Sequence, residues 1–131
     1  MKTNKELLEC AKKASNNAFC RYSNFPAGAC AVYESGEIYT GCNVENASSG
    51  LSLCAERNAI SSAAAAGETS KLVKIAVYSP KSKLCFPCGA CRQWIIEFSR
   101  GFNTEIILED ENFEPKSFFI NDLLPHPFNL L

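Results

Sequence analysis

Two short segments govern what this chain can fold into. Cys54-Ala55-Glu56 and Pro87-Cys88-Gly89-Ala90-Cys91 each stand where a loop gives way to a helix-patterned stretch. The three-residue spacing of Cys88 and Cys91 lets both sulfurs reach one ion. Two helix N-termini meeting at one point would each carry partial positive charge, which favours thiolates. A fold serving both segments must therefore bring two helix starts, far apart in sequence, to a single place.

The thiols leave three readings open. Cys54, Cys88 and Cys91 could form a three-thiolate zinc site whose fourth position is free for water, as in catalytic zinc. Cys85 could complete a closed four-thiolate structural site. The C-x-x-C pair alone is also compatible with redox chemistry. Glu56 favours the first reading. A carboxylate two residues past a ligand, in the first helical turn, lies near the metal without binding it, where a proton shuttle belongs. A ligand, a Glu two residues on, then P-C-x-x-C is the arrangement of zinc deaminases.

Eight cysteines stand in 131 residues. Cys10, Cys20, Cys30 and Cys42 are expected to be reduced thiols acting as small hydrophobes, the first two in the region of the first helix. His126, between Pro125 and Pro127, suits a surface or subunit-contact role better than metal binding.

The remaining pattern predicts one α/β domain over residues 1–131. Thr3-x-x-Glu6 fits a capping box, opening a helix from about Asn4 to Phe19. Ala29–Tyr33 and Glu37–Gly41 read as a hairpin about Ser35-Gly36. Asn43–Gly50 reads as a polar loop, and Ser52–Ala66 as an Ala-rich helix stopped by Gly67. Leu72–Tyr78 reads as a strand, Gly89–Ser99 as a helix, and Thr104–Leu108 and Lys116–Ile120 as strands. A helical turn at Asn121–Leu124 precedes an apolar tail, Phe128–Leu131. This order predicts a mixed sheet covered by helices on both faces.

Composition excludes several classes. Thirteen Lys+Arg against fourteen Asp+Glu give a net charge of −1. That balance argues against a sequence-independent nucleic-acid binder, so no nucleic-acid partner is expected. No apolar run approaches the roughly 20 residues of a membrane span. Met1–Glu6 has no signal-peptide core behind it, and cytoplasmic placement is expected.

Across nearly its whole length the chain resembles the cytidine deaminase family, in its small-subunit homotetrameric form. The resemblance runs through Tyr22-Ser23-Asn24-Phe25-Pro26-Ala27-Gly28-Ala29, Gly41-Cys42-Asn43-Val44-Glu45-Asn46-Ala47-Ser48 and Cys54-Ala55-Glu56-Arg57. It continues in Pro87-Cys88-Gly89-Ala90-Cys91-Arg92-Gln93 and in Leu123-Leu124-Pro125 with Phe128. Ala27 departs from it, since the family usually carries a larger aliphatic residue there.

The resemblance implies a three-layer α/β/α sandwich around a five-stranded sheet, with one Zn²⁺ per subunit held by Cys54, Cys88 and Cys91. It implies deamination of free cytidine and 2′-deoxycytidine, a step of pyrimidine salvage, with Glu56 as proton shuttle. Asn43 and Glu45 would bind the ribose 3′-hydroxyl. Phe25 would stack on the base, and the backbones of Ala55 and Cys88 would help hold it. Phe128 would reach a neighbouring subunit's site. Arg57, directly after Glu56, is expected on charge grounds to donate to ligand sulfurs and offset part of their negative charge; the plain alternative is an exposed helix-surface arginine. Blasticidin S deaminase looks similar in length and cysteine motif, but Asn43–Asn46 and Arg57 favour the nucleoside enzyme.

Overall fold

A computed structural model of the chain describes residues 1–101 and 103–130. Leu131, the end of the apolar tail, lies outside the described residues. Helix α1 (Asn4–Ser15) opens with the capping box expected of Thr3 and Glu6, with both reciprocal hydrogen bonds made. Strands β1 (Gly28–Tyr33) and β2 (Ile38–Cys42) form the hairpin, and helix α2 (Ala55–Ala65) follows. Strand β3 (Leu72–Tyr78), helix α3 (Gly89–Phe98), strands β4 (Glu105–Glu109) and β5 (Pro115–Phe119) and the short helix α4 (Ile120–Leu123) complete the order.

The five strands make one sheet in the order β2-β1-β3-β4-β5. Only β3 and β4 run parallel, with α3 in the crossover between them; the other neighbours are antiparallel. The direction of β5, which its sequence leaves open, is antiparallel to β4.

Side chains alternate between the two faces of each strand. On β1, Ala29, Ala31 and Tyr33 join Ile75 and Val77 of β3, Ile106 and Leu108 of β4, and the α2 and α3 residues Ala55, Ala59, Ile60, Ala63 and Ile95. Cys30, Val32, Ala76 and Ile107 point the other way and pack under Leu7, Leu8 and Ala11 of α1. Two cores on two faces make the predicted α/β/α sandwich, with α1 alone on one side.

The helices can lie so close because two sheet positions carry no side chain. A Cβ on Gly28 would sit 1.9 Å from the carbonyl oxygen of Ala11 in α1. A Cβ on Gly41 would sit 2.4 Å from the amide nitrogen of Ala59 and 2.5 Å from the carbonyl oxygen of Ala55 in α2. The buried α2 stripe Ala55, Ala59 and Ala63 is correspondingly small.

Two elements depart from the sequence reading. Helix α1 stops at Ser15, short of Phe19. The Ser15 hydroxyl donates back to the Lys12 carbonyl, and Asn16 and Asn17 bond into tight turns. Such polar side chains compete with the helix ladder. Phe19 is drawn instead into a bridge with Val44, so Cys20 belongs to a loop and not to the helix region. Helix α2 begins at Ala55 and not Ser52. Leu53 pairs antiparallel with Val44, exchanging two backbone hydrogen bonds of 2.9 Å, which keeps the chain extended up to Cys54.

Because the Gly41 contact is with backbone, an added methyl can be accommodated only by moving α2. Gly41→Ala should cost about 3 kcal/mol or more of stability, at the upper end of overpacking penalties. Chemical denaturation should show a lower midpoint at an unchanged slope.

Candidate metal and active site

Cys54 is the N-cap of α2 and Cys88 the N-cap of α3. Neither side chain caps its helix by a hydrogen bond. The positive ends of both helices therefore face sulfur. Cys91 lies one turn into α3 and is fully buried. The Sγ atoms of Cys54, Cys88 and Cys91 all lie within 4.8 Å of one another. Cys54 and Cys88 sulfurs are 3.8 Å apart. A tetrahedral ion with bonds of about 2.3 Å to sulfur would place two thiolates about 3.8 Å apart. The donor set and its spacing thus fit zinc. Cys85 is not in the group, so among the described residues a closed four-thiolate site is not formed.

The cluster shows the electrostatic strain of thiols crowded together. Cys54 is pulled down to about 5, first by the Cys91 thiol that donates to it and then by Arg57. Cys91 is pushed the other way by the same hydrogen bond and by burial. Arg57 Nη2 donates to Cys54 Sγ at 3.3 Å. Its Nε is buried without a hydrogen-bond partner among the described residues, which leaves a second donor beside the sulfurs. The guanidinium therefore contacts the Cys54 sulfur and is not an exposed helix-surface charge.

Glu56 is the second residue of α2 and only 5% exposed. Burial is the main cause of its carboxyl rising to about 7, with the negative Cys54 adding to it. Cys85 is raised to about 11, chiefly by burial and then by Glu56, so it packs beside the site as a neutral thiol. His126 is exposed and joins no metal-ligand group.

A second group forms around the loop after β2. The Val44–Leu53 bridge ties this loop to the residue preceding Cys54. Asn43 and Glu45, flanking Val44, both turn toward residues 22–27. Asn43 Oδ1 accepts from the Ala27 amide at 2.9 Å, and its Nδ2 donates to the Phe25 carbonyl at 2.8 Å. Glu45 Oε1 accepts from the amides of Tyr22 and Ser23, both at 3.1 Å, and Oε2 accepts from the Ser23 hydroxyl. Those bonds, the Ser23 hydroxyl first, hold the Glu45 carboxyl below the usual carboxylate range. The two residues thus share a side, and they brace the segment that carries Phe25. Phe25 as a residue is 36% exposed.

Sequence reasoning assigns nothing to several residues that shape the site. Ser23 reads only as loop polarity, yet it binds Glu45. Asn58 Nδ2 donates to the Cys42 carbonyl at 2.7 Å and locks α2 to the end of β2. Arg92 donates through Nε to the Pro87 carbonyl at 2.7 Å and through Nη1 to the Leu123 carbonyl at 2.9 Å. Gln93 pairs its amide with the backbone of Phe128, donating at 2.9 Å and accepting at 3.1 Å. Phe128 itself is 70% exposed. Polar residues just inside a helix, two turns or less from metal-binding cysteines, are the available signal for Arg92 and Gln93.

Known proteins carry the same architecture. The family description "Cytidine and deoxycytidylate deaminase zinc-binding region" matches residues 1–106. A probable cytidine deaminase of Dictyostelium discoideum is 43% identical over 96 residues, which are 71% of this chain and 65% of that one. The cytidine deaminase of Mycoplasma genitalium is 33% identical over 129 residues, 98% of each chain. The 1.6 Å crystal structure of cytidine deaminase from Burkholderia pseudomallei superposes with a TM-score of 0.88 at 42% identity, covering 97% of this chain and 100% of that one. The chain belongs to the cytidine and deoxycytidylate deaminase family: it is a deaminase, a hydrolase built on a three-thiolate zinc site.

Proposed function

We propose that the chain deaminates free cytidine and 2′-deoxycytidine, adding water and releasing uridine or 2′-deoxyuridine and ammonia. The observation that carries this reading is the placement of buried Glu56 two residues past Cys54, beside three convergent thiols. Zinc, when held by Cys54, Cys88 and Cys91, polarises the attacking water and brings its pKa toward about 7. Glu56 takes the water proton and delivers it to the ring nitrogen next to the amino-bearing carbon. The ring loses its conjugation there, and the carbon becomes open to attack. Once the water oxygen has bonded to that carbon, Glu56 carries the oxygen's remaining proton to the amino nitrogen; the carbon–nitrogen bond then breaks, ammonia leaves and the carbonyl of the uracil ring forms.

Arg57 offsets the negative charge of three thiolates, which would otherwise weaken the site's pull on electrons. Ala55 and Cys88 offer backbone groups at the two helix starts for the edge of the base. Phe25 supplies a face for stacking, and Asn43 and Glu45 grip the ribose 3′-hydroxyl. The charge on Glu45 would repel a 3′-phosphate, which selects free nucleosides over nucleic acid.

Phe128, exposed and held to α3 by Gln93, closes the site of a neighbouring subunit in a homotetramer. Residues 1–131 act as one domain. No helix among the described residues is long and apolar enough to cross a membrane. A cytoplasmic role in pyrimidine salvage fits these features.

Glu56→Gln should lower kcat by about 10²–10⁴-fold, the usual worth of a placed acid–base group, while zinc content stays at one per chain. Steady-state cytidine turnover and metal analysis check this together. Retained turnover would remove Glu56 from the chemistry. Arg57→Ala should lower kcat by about tenfold, the scale of a lost partner to a metal ligand. It should also move the acid limb of the kcat/KM profile to higher pH, because one positive charge fewer then faces the attacking water. An unchanged profile would leave Arg57 a packing role only.

A further inference from the structure

The Glu45 carboxylate has about four acceptor positions, two on each oxygen. Among the described residues three are taken. The Tyr22 and Ser23 amides use both positions on Oε1, and the Ser23 hydroxyl uses one on Oε2. The one left belongs to Oε2. The direction of the Ser23 hydroxyl is also settled. Its oxygen accepts from the Phe25 amide at 3.0 Å, so its single proton goes to Glu45. The turn that makes this possible passes through Asn24 in the left-handed region, φ 55, with its amide bonded to the Cys20 carbonyl at 2.8 Å. Asn tolerates that conformation better than most residues.

Phe25 does not depend on Ser23 alone. Its carbonyl is held by Asn43 Nδ2, and the following Ala27 amide by Asn43 Oδ1. Losing the Ser23 hydroxyl would free Oε2 of Glu45 while leaving the Phe25 segment anchored from its other side. The exposed Phe25 amide could turn to water.

We propose that Ser23 is a positioning residue for sugar recognition: its hydroxyl holds Oε2 of Glu45 so that the single remaining acceptor position takes the nucleoside 3′-hydroxyl. The proposal rests on the reading of Glu45 as the ribose acceptor. It adds that Ser23 and the substrate share one carboxylate oxygen. The remaining position calls for a donor, which a 3′-deoxy or 3′-phosphorylated sugar does not offer.

The test compares 2′-deoxycytidine with 2′,3′-dideoxycytidine, which differ only in the 3′-hydroxyl. Wild type, Ser23→Ala, Ser23→Thr and Glu45→Gln are assayed on both, with thermal melting as a check on folding. Ser23→Ala should lose about tenfold in kcat/KM on 2′-deoxycytidine, mainly through KM, the scale of one hydrogen bond to a charged group. On 2′,3′-dideoxycytidine it should lose no more than about twofold, because the acceptor it orients then has no partner. Ser23→Thr, which keeps the hydroxyl, should stay within about threefold of wild type on both.

Equal losses on both substrates would show a general loop role and overturn the proposal, as would no loss on either. If Glu45→Gln flattens the preference for the 3′-hydroxyl and Ser23→Ala does not, only the Ser23 assignment fails. If wild type has no such preference, the sugar reading of Glu45 fails and takes the proposal with it.

Discussion

Three sulfur atoms within 4.8 Å of one another are the constraint on which the structure turns. Thiolates at that distance repel, and they persist together only where positive charge converges on them. The fold supplies that charge from the N-terminus of α2, the N-terminus of α3 and the guanidinium of Arg57. Neither helix start can shift without spoiling the cluster. The small residues of α2 and the bare backbone of Gly41 let that helix settle against the sheet. Arg92 does the corresponding work for α3, tying its first turns to Pro87 and to the end of α4.

The loop after β2 is coupled to the metal ligands through backbone pairing. Val44 pairs with Phe19 on one side and Leu53 on the other. One residue beyond Leu53 stands Cys54; on either side of Val44 stand Asn43 and Glu45. A single extended segment thus sets the distance between these two side chains and the metal ligands. The loop of residues 20–27 is bonded to that segment by Asn43 and Glu45. The proposed recognition loop and the metal ligands thus share one frame, as the proposed reaction requires of a small substrate that must present one ring carbon to one water.

Much of this was legible in the residues. The capping box at Thr3, the alternation of β3 and the Ala stripe of α2 each reflect local rules that the tertiary structure obeys. The metal set was legible in part: C-A-E and P-C-x-x-C single out Cys54, Cys88 and Cys91, while spacing alone left Cys85 open as a fourth ligand. Long-range pairing was not. The early end of α1 depends on Phe19 finding Val44, and the late start of α2 on Leu53 finding the same residue. No local pattern announces those bridges. Ser23 was hidden for a similar reason. A serine in a polar loop looks like turn chemistry until its hydroxyl is seen on a carboxylate twenty-two positions away. Cys85, three residues before Cys88, shows the reverse: spacing permits a fourth ligand, yet its thiol is not among the clustered sulfurs.

Three sulfurs and no more converge among the described residues, so a metal held by them would keep a fourth position open for water. X-ray absorption at the zinc edge of the purified protein, with metal counted per chain, measures this directly. One zinc with three sulfur neighbours at about 2.3 Å and one oxygen or nitrogen neighbour at about 2.0 Å is the result expected of a catalytic site. Four sulfur neighbours would make the site closed and structural, and would contradict the account.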